Sequence, residues 1–244
     1  TDSSKNDQAD ALALLEDLIG RAKKAGAEAA DAVFVKGVSL SQSIRLGKPE
    51  HLERSEGSDI GLRVFMGKRQ AMVSSSDNAP EALDELAERA VAMARAVPED
   101  PYCGMADPDQ LATDFPDVDS CDSFEPDANH LSDLANRTEQ AAMAVKGVTN
   151  SEGGSAGWGT NTVAMVATNG FARAYANSSH SLSASVIAGE GTEMERDYDY
   201  TAAVFASDLD SPEAIGKSAG EKAVKRLNPK KAETASLPIV FDTR

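Results

Sequence analysis

The most unusual run of titratable side chains covers residues 193–200, which read EMERDYDY. If this run is a strand, its four carboxylates share one face of it, because successive side chains alternate between faces. These carboxylates are Glu193, Glu195, Asp197 and Asp199. Four like charges repel each other unless cations answer them. We expect a solvated face or an ion-pair seam with Arg173, Arg196 or a partner's arginine, or else a contact to a substrate amine or a second subunit.

The candidate contact residues are therefore drawn from this run, with one histidine added from the preceding strand signal. They are Glu193, Glu195, Arg196, Asp197, Tyr198 and His180. The histidine precedes the alternating run SLSASV, which is typical of a strand. A structural hydrogen-bonding role for His180 stays open as the alternative.

Motifs for metal, nucleotide or nucleophilic chemistry are not recognisable in the sequence. The three histidines, His51, His130 and His180, are isolated and no HExxH is present, so no zinc site is expected from this chain alone. No Walker A loop and no GxGxxG occurs, which leaves nucleotide binding unsupported. We assign no catalytic residue and no metal ligand.

One short segment, GGSAG at 153–157, matches the GxSxG nucleophile motif. That motif requires a strand before the serine and a helix after it. Here the sequence runs on into a further strand signal, so we interpret the segment as a flexible Gly/Ser connection and not as a site with Ser155 as nucleophile. The neighbouring Trp158 is either a plug at the edge of the core or a binding anchor.

Composition excludes several classes of partner. The 244 residues include 24 Lys and Arg against 40 Asp and Glu, a formal charge of −16, which argues against nucleic acid and against anionic lipid. No apolar run approaches the length of a membrane span. The only two cysteines, Cys103 and Cys121, form no disulfide framework, and a reduced, cytoplasmic location is expected.

Much of the negative charge is local. Residues 98–127 hold ten carboxylates, no Lys or Arg, and five of the ten prolines, a composition that predicts an irregular acidic connector. A cation site is the alternative for this segment, although it lacks the glycine and the terminal glutamate of an EF-hand loop. Its ligands would be Asp107, Asp109, Asp117, Asp119 and Asp122.

The segments on either side of this connector follow the same plan. Each starts with an amphipathic helical pattern, at 9–25 and 128–146, that ends at a glycine. Each continues with alternating strand signals separated by turn residues, and closes with Ser-Asp, then Pro-Glu-Ala and a second helix. The predicted fold class is α+β, with two helix–antiparallel β-meander–helix units related by a degenerate internal repeat.

This reading divides the chain into an N-terminal unit at 1–97, the connector at 98–127 and a second unit at 128–231. Residues 237–242, LPIVFD, are typical of a buried strand, yet little sequence follows to pair with it. We expect residues 232–244 to be the start of a further, C-terminal domain that is missing from this sequence.

A set of short segments occurs in a specific order along residues 12–242. They are LLEDL at 14–18, KAGA at 24–27, IGLRVF at 60–65, EDPY at 99–102, TNSEG at 149–153, HSLS at 180–183, MERDY at 194–198 and RLNP at 226–229. In order and spacing they resemble the TldD/PmbA family, labelled "modulator of DNA gyrase", and within it the PmbA (TldE) branch.

The resemblance implies the N-terminal region of a longer subunit. TldD-type subunits carry an HExxxH zinc motif, act as metallopeptidases on peptides or unfolded proteins, and pair with a PmbA/TldE-type subunit that lacks the motif. Peptide maturation is one associated role. No HExxxH occurs here, so no cofactor is expected in this chain, and zinc is expected in a TldD-type partner.

The function expected from the resemblance is that of a non-catalytic region in a cytoplasmic metallopeptidase complex. It would assemble a dimer with a TldD-like subunit or with itself, and help to hold a peptide or unfolded protein along a sheet edge. The alternative is a non-enzymatic acidic scaffold that binds a basic protein through the connector and the 193–199 face.

Overall fold

The computed structural model describes the backbone of residues 2–242 and the side chains of residues 6–242. The first part of the chain contains one helix, three strands and a second helix: α1 (Asp2–Ala25), β1 (Ala29–Arg45), β2 (Lys48–Met66), β3 (Arg69–Ser75) and α2 (Pro80–Ala96). After the connector the same order recurs: α3 (Ala128–Met143), β4 (Val148–Ala167), β5 (Ala172–Ala188), β6 (Glu195–Ala203) and α4 (Pro212–Lys225).

All six strands form one sheet in the order β3-β2-β1-β4-β5-β6, and every neighbouring pair is antiparallel. The two units meet where β1 pairs with β4. The predicted α+β class, with two helix–meander–helix units, is confirmed. Both units therefore contribute to a single sheet, with the first unit on one side of the β1–β4 pair and the second unit on the other.

The helices cover one face of this sheet. Even-numbered residues of β1 share a face: Phe34 packs with α1 and α2, whereas Leu40 and Ile44 pack with α3. On the opposite face, no helix of the described residues packs against Phe34, Leu40 or Ile44. Val33 and Val35 are 38% exposed there, and short polar side chains such as Ser41 and Ser155 continue the surface.

The glycine-rich segment around GGSAG is not a flexible connection, and that prediction is wrong. Residues 148–160 are the first part of β4. They pair with β5, and from Gly154 onward also with β1, so that Ser43, Ser155 and Ser183 lie side by side. Glycine is needed at 154 because a Cβ there would lie 2.2 Å from the Ala135 carbonyl oxygen of α3. Here the glycine permits close packing of a helix on a central strand.

The apolar core differs between the two units. Against β1 to β3, the helices α1 and α2 bury one continuous cluster that includes Leu15, Leu62 and Leu86. In the second unit the core divides into two clusters. One surrounds Leu131, Trp158 and Leu182, and the other is mainly alanine with Val186. Trp158 is 7% exposed in the cluster with Leu131 and Leu182. Its surroundings therefore match the predicted plug at the core and not an exposed binding anchor.

The connector runs from the end of α2 to the start of α3 with only a short 3-10 helix at Pro108–Gln110. It passes along the edge of β5 that β6 leaves uncovered, since β6 pairs only from His180 onward. There the Ser120 carbonyl accepts from the Ser178 N–H at 3.0 Å, and the Ser120 hydroxyl donates to the Ala176 carbonyl at 2.8 Å. The connector thus satisfies backbone groups of an otherwise open sheet edge.

Residues 229–242 contain no helix or strand. Their large apolar side chains are exposed, namely Leu237, Ile239, Val240 and Phe241. The assignment of residues 232–244 to a further domain stays a prediction, and positions 243–244 lie outside the described residues.

Candidate functional site

The carboxylates of the 193–200 run are divided between two elements. Glu193 ends a 3-10 helix at Gly191–Glu193 and is not part of the strand, so its predicted place beside the other three is wrong. The turn requires a positive φ of 60° at Gly191, and the strand begins only at Glu195. On β6, Asp197 and Asp199 face the helices, whereas Arg196, Tyr198 and Tyr200 face away.

Two cations form ion pairs with these carboxylates: Lys222 of α4 and Arg226, which directly follows that helix. Arg226 bonds to Asp197, and Lys222 Nζ lies 3.0 Å from Asp199 Oδ2. Burial acts to raise the pKa of Asp197, but the hydrogen bond from Arg226 and the N–H of Tyr198 outweigh it and lower that pKa. The seam is therefore intramolecular.

The cations that the sequence suggested for this seam have other partners. Arg173 lies over the Phe115 ring of the connector, 3.7 Å from the ring centroid. Arg196 pairs with Glu152 of β4 at 3.2 Å. The expectation that named these two arginines is therefore corrected in favour of Lys222 and Arg226.

The outward side of β6 presents an aromatic pair at the end of the sheet. Tyr198 and Tyr200 are 59% and 44% exposed, and their rings are nearly parallel, 6.3 Å apart with an interplanar angle of 20°. Arg196 precedes them on the same face. Tyrosine and arginine are enriched in protein contacts, so this surface is a candidate for binding a subunit or a peptide.

His180 does not lie with these residues. It pairs with Ala203, whereas Tyr198 pairs with Ser185, five residues further along β5, which corresponds to about 17 Å. Its side chain points to the helix-covered face and is 4% exposed. The six candidate contacts thus form no single site. Two are exposed side chains of β6, three are carboxylates of the turn and of the opposite side of β6, and one is a buried histidine.

The surroundings of His180 are set by the end of the connector. Asp122 Oδ2 lies 3.3 Å from His180 Nε2, and the Phe124 ring stacks on the imidazole with centroids 6.2 Å apart. The carboxylate of Asp122 is held by the N–H groups of Ala206 and Phe124, each at 2.9 Å. These backbone hydrogen bonds lower the pKa of Asp122, while burial lowers the pKa of His180 although Asp122 acts to raise it.

A cavity of about 320 Å³ opens beside this pair. Its walls are the first turns of α3, with His130 and Leu134, strand β5, and the 206–212 segment that leads into α4. The aromatic surface includes Phe124, whose ring meets His130 edge-on at 5.4 Å. The lining is mostly apolar with a few convergent polar groups, which is the usual character of a ligand pocket.

The structure also shows a buried, hydrogen-bonded carboxylate that sequence reasoning missed. Glu139 of α3 is 2% exposed and accepts hydrogen bonds from the N–H groups of Leu46 and Gly47, at 2.7 and 2.9 Å, and from the Ser151 hydroxyl. It fastens the tip of the β1–β2 hairpin to the second unit. Glu139 lies on the apolar stripe of α3, eight residues after Leu131. That position could have indicated from the sequence that its carboxylate is buried.

Metal-binding groups do not assemble within residues 6–242. No set of three or more His, Cys, Asp or Glu side chains there is arranged to hold a metal ion. The aspartates considered as a cation site in the connector are spread along it, and Asp122 is engaged with backbone N–H groups. Among the described helices, none is long and apolar enough to cross a membrane.

Comparisons with known proteins agree with this architecture. Two family models match in order: "PmbA/TldA metallopeptidase domain 1" at residues 30–94 and "PmbA/TldA metallopeptidase central domain" at 121–227. The chain is 35% identical over 215 residues to Metalloprotease PmbA of Escherichia coli O157:H7, covering 88% of this chain and 48% of that protein. It is 36% identical over 221 residues to the PmbA homolog of Haemophilus influenzae, covering 90% and 49% respectively.

Solved structures share the fold. A protein from Bacteroides thetaiotaomicron named as a modulator of DNA gyrase superposes with a TM-score of 0.84 at 21% identity, over 90% of this chain and 51% of that one. TldE from Thermococcus kodakarensis superposes with a TM-score of 0.68 at 16% identity, over 87% and 47%.

The repeated helix–meander–helix architecture with a shared antiparallel sheet is that of the first two domains of PmbA/TldA-type metallopeptidases. The chain belongs to the PmbA/TldD family, as the sequence resemblance indicated. It spans about half the length of the curated relatives it matches.

Proposed function

We propose that this chain acts as the domain 1 and central-domain region of a PmbA/TldE-like subunit in a two-subunit metallopeptidase complex. The observation that carries the proposal is the ordered match to both family domains, together with about 35% identity to Metalloprotease PmbA over most of the chain. In this complex the region assembles the dimer and helps to hold a peptide or unfolded protein.

Zinc, in this proposal, belongs to a TldD-type partner. The described side chains gather no metal-ligand set, and the one buried histidine, His180, is committed to a stack with Phe124 and a contact with Asp122. The proposal assigns no step of hydrolysis to this chain. Its contribution is the shape and chemistry of the surface that meets substrate and partner.

Two surfaces support a role in holding an extended chain or a subunit. The outward face of β6 offers Arg196, Tyr198 and Tyr200 at the end of the sheet. The first part of β2, residues 48–59, has β1 on one side and no strand of the described residues on the other, because β3 pairs only from Ile60 onward. An open edge of this kind can add an extended peptide by backbone hydrogen bonds.

The acidic-scaffold alternative is less well supported by the geometry. Asp197 and Asp199 are answered by Arg226 and Lys222 of the same chain, so the 193–199 face does not present a free row of carboxylates to a basic partner. The connector remains acidic, but part of it is bound along β5.

The decisive test uses the full polypeptide together with a TldD-type subunit. Co-expression, co-purification and gel filtration should give a stable complex that cleaves an unfolded peptide, whereas the polypeptide alone should not cleave it. Absence of both complex and cleavage would refute the proposal.

The contribution of the β6 surface is tested by the double variant Tyr198→Ala/Tyr200→Ala in the same complex. We expect weaker association, at least tenfold in dissociation constant, because two exposed aromatic contacts are removed. The matched control is Tyr102→Ala, since Tyr102 is 94% exposed in the connector and belongs to neither surface. Equal association of all three proteins would remove β6 from the interface.

A further inference from the structure

His180 is one of the side chains with a fully buried polar atom that lacks a hydrogen-bond partner among the described residues. Its side chain is 4% exposed. Nε2 is fully buried and approaches Asp122 Oδ2 at 3.3 Å, but the N–H direction misses a proper hydrogen bond. Nδ1 also makes no hydrogen bond to a described residue, but unlike Nε2 it is not fully buried. Buried polar groups without partners are rare in folded proteins, and each one calls for an explanation.

The protonation of this imidazole follows from its surroundings. Burial lowers the pKa of His180, which keeps the ring neutral at physiological pH, with one nitrogen as donor and the other as acceptor. The tautomer with its proton on Nε2 faces the carboxylate of Asp122. That leaves Nδ1 as a hydrogen-bond acceptor at the wall of the 320 Å³ cavity that His180 lines.

The rest of the cavity selects a planar, largely apolar occupant. Phe124 stacks on His180 and meets His130 edge-on, which makes an aromatic wall. Leu134 and Leu182 supply apolar surface opposite the 206–212 segment. At about 320 Å³ the cavity is at the lower end of the roughly 300–1,000 Å³ range of small-molecule sites, a size that suits one side chain better than a whole cofactor.

We propose that this cavity binds one aromatic side chain that carries a hydrogen-bond donor, such as tyrosine, from a peptide, with His180 Nδ1 accepting the donor's hydrogen. The peptide origin of the side chain rests on the proposed function; the pocket chemistry does not. The aromatic wall supplies stacking and edge-to-face contacts, and the hydrogen bond gives Nδ1 a partner inside the cavity. A donor-free ring leaves that nitrogen unpaired, which is the physical basis of discrimination.

The test is a titration of the full chain with N-acetyl-tyrosinamide and, separately, N-acetyl-phenylalaninamide, followed by NMR of the imidazole signals. The chain has three histidines, and only His130 and His180 line the cavity. Their signals should shift with saturation while that of His51 stays unchanged. We expect the tyrosine compound to bind at least fivefold more tightly than the phenylalanine compound.

Three variants sharpen the result. His180→Phe should reduce the preference for tyrosine to less than twofold, because the aromatic ring is kept and the Nδ1 acceptor is lost. His130→Ala, at an exposed position of α3, should weaken both compounds about tenfold without endangering the fold. His51→Ala, on the hairpin strand β2 outside the cavity, should change neither affinity.

Several outcomes would overturn the proposal. These are equal affinity for the two compounds, shifts at all three histidines alike, or no shift at His130 and His180. Because the readout needs neither a partner subunit nor peptide cleavage, failure here leaves the family-based function standing. Conversely, binding of tyrosine by a chain that forms no metallopeptidase complex would sustain the pocket and refute the proposed function.

Discussion

Helices α1 and α3 hold equivalent places in the two units but bury different chemistry. Their buried stripes have identical spacing, with Ala11, Leu15, Leu18, Ile19 and Ala22 on α1 and Leu131, Ala135, Thr138, Glu139 and Ala142 on α3. At the third and fourth positions, two aliphatic side chains of α1 are replaced by a hydroxyl and a carboxylate in α3. The first unit consequently has one continuous core cluster and the second has two.

The polar pair of α3 lies between the two clusters of the second unit. Ala135 belongs to the cluster around Trp158, and Ala142 belongs to the alanine-rich cluster. The Thr138 hydroxyl donates to the Leu134 carbonyl at 2.7 Å, and Glu139 accepts from the β1–β2 hairpin and from Ser151. The buried stripe of α1 therefore contributes only apolar packing, whereas that of α3 also hydrogen-bonds other elements. Those hydrogen bonds are needed because buried polar groups are tolerated only when they are paired.

The largest expected difference between the units concerns helical glycines. A Cβ at Gly216 of α4 would lie 2.1 Å from the Thr138 carbonyl oxygen, whereas a Cβ at Gly20 of α1 would meet nothing within 4 Å. Gly216→Ala should lower the free energy of unfolding by about 3 kcal/mol through overpacking. Gly20→Ala should raise it by about 0.5–1 kcal/mol. Urea denaturation measures both, and equal effects would contradict the close α3–α4 packing.

The next effect tests the polar stripe itself. Glu139→Ile copies the α1 residue into α3, but it leaves the N–H groups of Leu46 and Gly47 without their acceptor. We expect a loss of about 2 kcal/mol in the free energy of unfolding, and faster amide exchange at the hairpin tip. Glu139→Gln keeps one acceptor oxygen and should lose less. Stabilisation by Glu139→Ile would mean that the stripe serves packing in both units.

A smaller effect concerns acid stability of the β6–α4 seam. The pKa of Asp197 is lowered in the fold, so its contribution is present above the unfolded value of about 3.9 and is lost as the pH falls through the folded value. In Arg226→Ala, the melting temperature should fall less steeply as the pH is lowered through this acid range. Lys217→Ala is the matched control, since Lys217 pairs only with Glu221 on the same helix. An unchanged profile for Arg226→Ala would contradict the seam.

The smallest effect is a change in one titration. The pKa of His180 should be found by NMR below the ordinary value of about 6.5, because burial disfavours the charged ring. Asp122→Asn should lower it further, since the carboxylate acts to raise it. The unfolded chain binds the proton more readily, so this group's stability contribution is lost as the pH falls from about 6.5 toward the folded value. A pKa above 6.5 would contradict the buried pocket.

Local patterns made much of the architecture predictable. The stripes of α1 and α3, the glycines that end these helices and the Asn169-Gly170 turn are encoded within a few residues of each other. The structure of a segment was harder to predict where it depends on a residue that is distant in the sequence. The glycines of β4 suggested flexibility, but position 154 has no room for a side chain because α3 lies directly over it.

The candidate site was less predictable for the same reason. Alternation identified Asp197 and Asp199 as one face of a strand, but their cations come from positions 222 and 226. Nothing in the vicinity of those carboxylates in the sequence distinguishes these two cations from Arg173 or Arg196. Likewise, Asp122 and Phe124 read as part of an acidic connector until the fold placed them against His180.

Local periodicity, composition and the order of short segments were enough to predict the repeat, its α+β class, the concentration of charge in residues 98–127 and the family. The packed fold was needed to show that both units share one sheet, that Glu139 holds a hairpin tip, and that His180 lines a cavity beside Asp122. These outcomes depend on contacts between residues far apart in the chain. Which donor meets which acceptor, and which side chain loses its water, is settled only when those segments pack.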